Sequence, residues 1–361
     1  LPARFAFMLH PLDIHDVARK FPIAEKLPVG LVEAILRRMG PMVASHITGV
    51  ESSHQSAEGW FVTCPLTTRQ MVAYPEKIVL PKILAAGRLA EKLGAGIIGL
   101  GAYTAIVGDG GQWLADQLGI GVTTGNSYTA ATAIEGARMA AEFMEIDLPR
   151  AELAIVGATG SIGRACALLM AKDCGTLTLV GRDLQKLEKL GEEVIQQTNK
   201  MPRLSTDLHE ALPKADVVIT VSSAVQAIID PQDLKPGAVV CDVARPRDVS
   251  RLVAEQRPDV LVIEGGIVEV PGDVDFHFNF GLPPRMAMAC MAETMMLALE
   301  GRFQDYTLGR EYEVEKIEET MLLAKKHGFR LAGLRSFERS LTHEEMLAIR
   351  DRARQARQQL G

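Results

Sequence analysis

The feature that most constrains this chain begins at Ala151. From there, short apolar runs alternate with helical stretches: "ELAIVGA", a helix opening at Ser161, "TLTLVGR", a helix through "LQKLEKLGEEVIQQ", then "ADVVITVSS", "GAVVCDVA" and "VLVIEGG". Each run is apolar at consecutive positions rather than at every second one. A strand of that kind is buried on both faces, which calls for a parallel sheet between helix layers. In such a sheet the ligand lies at the carboxyl ends of the strands.

The turn after the first of these strands reads "IVGATGSIG". It sets Gly157, Gly160 and Gly163 in a GxxGxxG pattern between a strand and a helix. In that context the glycines have separate tasks: a tight turn, close approach of backbone to a pyrophosphate, and close packing of helix on strand. The amides of the helix N-terminus then face the phosphates. Gly157, Thr159, Gly160, Ser161, Ile162 and Gly163 are therefore the expected cradle, in an α/β fold with a Rossmann-type doubly wound parallel sheet. The second strand ends "LTLVGRD". NAD sites carry an acid there for the ribose hydroxyls. Arg182 stands in that place and suits a 2′-phosphate, so NADP is the expected cofactor. Asp183 is expected to cap the next helix, and Ser222 to line the site after "ADVVITV".

The residues before Ala151 read as a mixed α/β unit. "RFAFML", "GWFVTCPL" and "GIIGLG" are expected strands. "GLVEAILRRMG" and "PKILAAGRLAEKLGAG" are expected helices, the second with its proline near the start. "TTGNSYTAATAIEGARMAAEFMEI" gives a turn and a long helix. The organisation that follows is a substrate domain over 1–128, a connecting helix over 129–150 and an NADP-binding Rossmann domain over 151–283. Helices over 284–335 carry Cys290 and pack back over the cleft, and 336–361 form a C-terminal helical extension. Pro283 and Pro284 mark a helix start, which would set Cys290 more than one turn inside, where the helix dipole acts only slightly. Thr342 and Glu345 have the spacing of a capping box.

Composition removes several classes. The net charge is −6 with no basic stripe, so nucleic acid is not an expected partner. No apolar run approaches the ~20 residues of a membrane-spanning helix. The five cysteines, Cys64, Cys166, Cys174, Cys241 and Cys290, are scattered and lack CxxC spacing. That argues against a disulfide framework and a metal site, and a cytoplasmic location is expected.

"GLPPRMAMACMAETMML" holds Cys290 among alanines and methionines. Two readings stand: a small core filler, or a nucleophile facing an adaptable apolar pocket. His277 and Arg285 are the local groups that would activate it, and Glu293 shares its helix face. In "TTGNSYT", Thr124, Asn126 and Ser127 offer donors for an oxyanion, or else cap a helix.

"GATGSIG", "TTGNSYTAA", "IEGGIVEV" and "PPRMAMACMAETMMLALEGR", in that order, resemble the long-chain acyl–acyl-carrier-protein reductases, the fatty-aldehyde-forming enzymes of photosynthetic bacteria. The resemblance spans roughly residues 95 to 335. The N-terminal third is only loosely similar and the tail looks like an extension, as in a divergent bacterial relative. The resemblance implies an acyl group carried on Cys290 and NADPH as reductant. It also implies acyl carrier protein or acyl-CoA as substrate carrier, a fatty aldehyde as product and an aldehyde-consuming enzyme as a further partner. An acidic carrier protein would meet a basic patch, for which Arg37, Arg38, Arg302 and Arg310 are candidates. Two other readings remain open. One is an NADP-dependent dehydrogenase of a small polar substrate, shikimate- or amino-acid-dehydrogenase-like, recruiting Lys77, Lys82 and Asp109. The other is a catalytically silent NADP-binding sensor.

Overall fold

A computed structural model describes residues 2–309 and 314–359. The chain forms two compact units, Leu1–Tyr128 with Val268–Arg330, and Thr129–Ile267 with Leu331–Gly361.

The first unit is built on a five-stranded sheet. Its strands are β1 (Ala3–Leu9), β2 (Met42–Glu51), β3 (Ser56–Thr63), β4 (Ile97–Leu100) and β5 (Gly121–Thr123), in the order β2-β3-β1-β4-β5. Only the β2–β3 pairing is antiparallel. Phe5, Ala6, Phe7 and Met8 are all buried, so the sheet is covered on both faces. Ala6 and Met8 join the core that contains Ile83, Ala86 and Ala90 of the Glu76–Lys92 helix. The Ala289–Leu299 helix packs on β1, β3 and β4.

Two helix starts differ from the sequence expectation. The Glu76–Lys92 helix takes Pro75 as its N-cap and holds Pro81 inside. The earlier proline opens the helix and the later one removes an amide from its interior. After Pro283 and Pro284 there is no helix. Arg285 takes a left-handed backbone (φ +62°), and Met286–Met288 is a short strand. The helix begins at Ala289, which makes Cys290 its second residue.

The second unit holds six strands: β6 (Glu152–Val156), β7 (Thr176–Val180), β8 (Arg203–Ser205), β9 (Val217–Thr220), β10 (Val239–Asp242) and β11 (Leu261–Glu264). Their order is β11-β10-β9-β6-β7-β8, and every pairing is parallel. The chain runs outward from β6 to β8, returns, and runs the other way from β9 to β11. The reversal between β6 and β9 is the switch point of a Rossmann-like α/β fold, where the strand ends part to leave a crevice. The C-terminal His343–Gln358 helix packs on β11 in this unit, closed by the Thr342–Glu345 capping box. No helix among the described residues is long and apolar enough to cross a membrane.

Candidate functional site

The glycine loop sits at the switch point. Gly157 has φ +77°, and a Cβ on it would stand 3.0 Å from the backbone of Ser222 at the end of β9. A Cβ on Gly163 would fall 2.4 Å from the Gly157 carbonyl oxygen. Both positions are closed to any side chain, and both hold the loop tight against its sheet. Gly160 is the N-cap of the Ser161–Met170 helix and offers no side chain as a cap. Thr159 precedes it, and Ser161, Ile162 and Gly163 make its first turn. That arrangement fits a pyrophosphate, which backbone amides and the helix N-terminus would hold.

Arg182 follows β7 and is exposed. Among the described residues no hydrogen bond or ion pair occupies its guanidinium. Asp183 does cap the next helix, accepting from the Lys186 N–H at 3.2 Å. Ser222 is not open to a ligand through its hydroxyl. It donates to Asp248 Oδ1 at 2.5 Å, and its N–H donates to Oδ2 at 2.9 Å. Asp248, fully buried and also holding the Thr220 hydroxyl, is thus the anchor of the β9 end. The sequence gives no spacing signal for it. Nearby, burial pushes the Asp242 carboxyl up to about 6, against the pull of Arg245. Its carboxylate accepts from the Ala244 and Val249 N–H groups at 3.0 and 3.1 Å.

In the first unit, parallel strands β1, β4 and β5 end at one edge of their sheet. Beyond them lie His10, the Gly101–Thr104 turn and the Thr124–Gly125–Asn126 turn. Cys290 meets the last of these. Gly125 has φ +74°, and a Cβ there would fall 2.3 Å from Cys290 Cα and 2.4 Å from its Cβ. The glycine of "TTGN" is therefore the surface on which Cys290 rests. Cys290 is half-buried, whereas the other four cysteines are buried. Burial pushes the Cys64 and Cys166 thiols up to about 12, which leaves them as inert packing. Cys290 stands in the first turn of a helix whose N-cap residue, Met288, makes no side-chain cap, and there the helix dipole favours negative charge.

The oxyanion candidates divide. Thr124 donates both its N–H and its O–H to the Thr307 carbonyl, each at 2.9 Å. The Ser127 hydroxyl lies 2.8 Å from Thr307 Oγ1. Both residues are buried. They hold the turn in place, and Asn126 alone of the three is partly exposed. The Asn126–Phe143 helix receives a carboxylate cap from outside its own segment, since Glu293 accepts from the Tyr128 N–H at 2.8 Å.

The other sequence candidates, His277 and Arg285 for activation, Lys82 and Asp109 for a polar substrate and the arginines for a carrier, are placed as follows. The His277 ring bonds the His46 carbonyl at 3.0 Å and stands 3.3 Å from Asp275. Arg285 is exposed on its left-handed turn. Lys82 is spent on the Met39 carbonyl, and Asp109 sits in a left-handed turn. Arg302 pairs with Glu319 at 2.6 Å, Arg37 lies over the Tyr74 ring, and Arg310 falls outside the described residues. Sequence reasoning missed His10. It is buried, and burial lowers its pKa to about 4. Its Nε2 accepts from the Tyr103 N–H at 3.1 Å and its Nδ1 faces the Pro11 carbonyl at 3.1 Å, which assigns a neutral ring protonated on Nδ1. The available signal was a histidine immediately past the first strand.

Comparison with known proteins adds four findings. Residues 138–264 match the family model described as shikimate / quinate 5-dehydrogenase. The chain is 31% identical over 299 residues to the aminotransferase PigE of a Serratia species, covering 82% of this chain but 35% of that protein. It therefore spans about a third of that relative's length. It is 30% identical over 330 residues to the long-chain acyl-[acyl-carrier-protein] reductase of Synechococcus elongatus, covering 87% of this chain and 94% of that protein. Among solved structures, the L-tryptophan dehydrogenase of Nostoc punctiforme aligns over 99% of this chain and 89% of its own, at 14% identity and a TM-score of 0.41. Fold and loop define the class, a Rossmann-type NAD(P)-dependent oxidoreductase. Within it, the chain belongs to the family of the long-chain acyl-[acyl-carrier-protein] reductase.

Proposed function

We propose that the protein reduces a long-chain acyl thioester to a fatty aldehyde, using NADPH and an acyl group held on Cys290. The observation that carries the reading is the setting of Cys290: half-buried, in the first turn of its helix, and directly against the Gly125 turn. The sulfur attacks the thioester carbonyl, a new carbon–sulfur bond forms, and the carrier's thiol leaves with a proton. One thioester replaces another, so the exchange is nearly balanced in free energy, and a hard reaction is split into two easier ones. Reduced nicotinamide, when bound, supplies a hydride. Cys290 presents the acyl carbon, and its sulfur departs as the aldehyde forms. Overall, one thioester, one hydride and one proton give one aldehyde and one thiol.

The other residues bind and orient. Gly157, Thr159, Gly160, Ser161, Ile162 and Gly163 hold the pyrophosphate. Arg182 takes the 2′-phosphate, and Ser222, fixed by Asp248, backs the loop. Asn126 polarises the acyl oxygen, while Thr124 and Ser127 keep its turn rigid. Acyl carrier protein or CoA delivers the chain, with the exposed Arg37 and Arg38 facing an acidic carrier. A cytoplasmic enzyme that consumes aldehydes receives the product. The shikimate / quinate match favours a second reading, a dehydrogenase of a small polar substrate. It covers 138–264 and so excludes Cys290 and the Gly125 turn.

The test is mass spectrometry of the protein after incubation with a long-chain acyl thioester and no NADPH. The expected result is one acyl group on the Cys290 peptide, absent in Cys290→Ser. A chain that stays unmodified while oxidising or reducing a small polar substrate would move the assignment to the second reading.

A further inference from the structure

Glu293 lies one turn beyond Cys290 on the Ala289–Leu299 helix and is completely buried. A carboxylate is costly to bury unless donors meet it. Here three do. The Thr123 and Thr307 hydroxyls donate to Oε1 at 2.5 and 2.9 Å, and the Tyr128 N–H donates to Oε2. The Thr123 oxygen in turn accepts from the N–H groups of Thr307 and Gly125, at 3.3 and 3.4 Å. Thr307 Oγ1 also lies 2.8 Å from the Ser127 hydroxyl, and either oxygen can donate. The Tyr128 N–H meets the carboxyl as a donor, as does the Thr123 hydroxyl, whose oxygen is already taken by two N–H groups. Burial raises the Glu293 carboxyl above its usual range, against the pull of these donors. A helix that only had to pack on the sheet would need none of this.

We infer that Glu293 is the positioning residue for Cys290. It ties the helix carrying the sulfur to the Thr123–Tyr128 segment, and so fixes that sulfur against Gly125 and aims the turn at the acyl oxygen. The inference rests on the acyl-cysteine reading, deepens it, and has a separate readout in the reactivity of the thiol itself.

The experiment is iodoacetamide alkylation of Cys290 in the full chain, alongside steady-state reduction of an acyl thioester. Glu293→Gln keeps the shape but turns an amide donor toward groups that donate. It is expected to slow both alkylation and kcat about tenfold, with KM within about twofold and NADPH affinity unchanged. Glu293→Asp is expected to recover part of the loss. Should Glu293→Gln fail to fold, Thr307→Val and Thr307→Ser form the second pair: valine about fivefold slower, serine equal to the parent. Parent-rate alkylation and turnover in Glu293→Gln, or in Thr307→Val, would overturn the inference. If the parent accepts no acyl group yet Glu293→Gln slows alkylation, the proposed reaction fails and the positioning role stands.

Discussion

The two units solve one problem in opposite ways. Each is a mostly parallel sheet with its working groups beyond the carboxyl ends of the strands. In the second unit that edge is shaped by missing side chains: no Cβ fits at Gly157 or Gly163, and backbone lines the edge. In the first, the edge is shaped by side chains that are present and buried, with Glu293, Thr123, Thr124, Ser127 and Thr307 bonded to one another. The proposed function accounts for the difference. A phosphate is a fixed anion that amides and a helix N-terminus can meet. Cys290, as the proposed nucleophile, must instead be held at one angle to a variable substrate, and that takes directed hydrogen bonds.

The comparison breaks most completely at Cys290. Cys290→Ser is expected to lower aldehyde formation by roughly 10³-fold or more, with NADPH binding in the second unit retained. Stopped-flow of NADPH oxidation and equilibrium fluorescence titration check the two halves. Parent-rate turnover in the serine variant would remove Cys290 from the chemistry.

A single methyl group should then separate the units. Gly163→Ala forces a Cβ onto the Gly157 carbonyl oxygen and is expected to weaken cofactor binding by about 100-fold. Gly125→Ala adds strain at φ +74° and a clash with Cys290 Cα, and is expected to cost about 2–4 kcal/mol in the first unit. Its cofactor affinity should stay at the parent value. Denaturant melts and cofactor titrations on both variants read this out; an equal loss of cofactor binding in both would erase the distinction.

Acid should act with opposite signs on two buried groups, one in each unit. The folded pKa of His10 is lowered from 6.5 to about 4. Its contribution is present above pH 6.5 and is lost as pH falls through 4, roughly 3 kcal/mol at most. The folded pKa of Asp242 is raised from 3.8 to about 6. Its contribution is present below pH 3.8 and is lost as pH rises through 6, again roughly 3 kcal/mol at most. Asp242→Asn is expected to leave a stability that falls more steeply on acidification from pH 6 to 4 than the parent's. Urea melts across that window test it, and an unchanged slope would mean that burial of Asp242 is not felt.

The units also differed in how far the sequence revealed them. The second was legible because its signals are local: consecutive apolar positions, glycines three apart, an aspartate ahead of a helix. In the first, strands such as β1 and β4 were legible for the same reason. Its polar network was not, because Glu293 meets Thr123 and Tyr128 across 170 and 165 residues. No spacing rule spans that distance. The late start of the Cys290 helix was hidden by two prolines that open helices elsewhere but here precede a left-handed Arg285 and a strand. That one shift moves the sulfur from a helix interior to a helix end.

The smallest expected effect tests whether the second unit also uses a directed side chain. Arg182 stands exposed after β7, and Asp183 beside it is occupied as a cap. If the guanidinium holds a 2′-phosphate, Arg182→Ala removes a charge-assisted contact worth about 1.5–3 kcal/mol in a protected setting and less in solvent. The expected loss is about tenfold in NADPH affinity, with NADH nearly unaffected, and the gap between the two cofactors should narrow as salt is raised. Parallel titrations of NADPH and NADH against parent and variant give the answer. An equal loss for both would mean that Arg182 supports the loop, and cofactor choice would then rest on backbone alone.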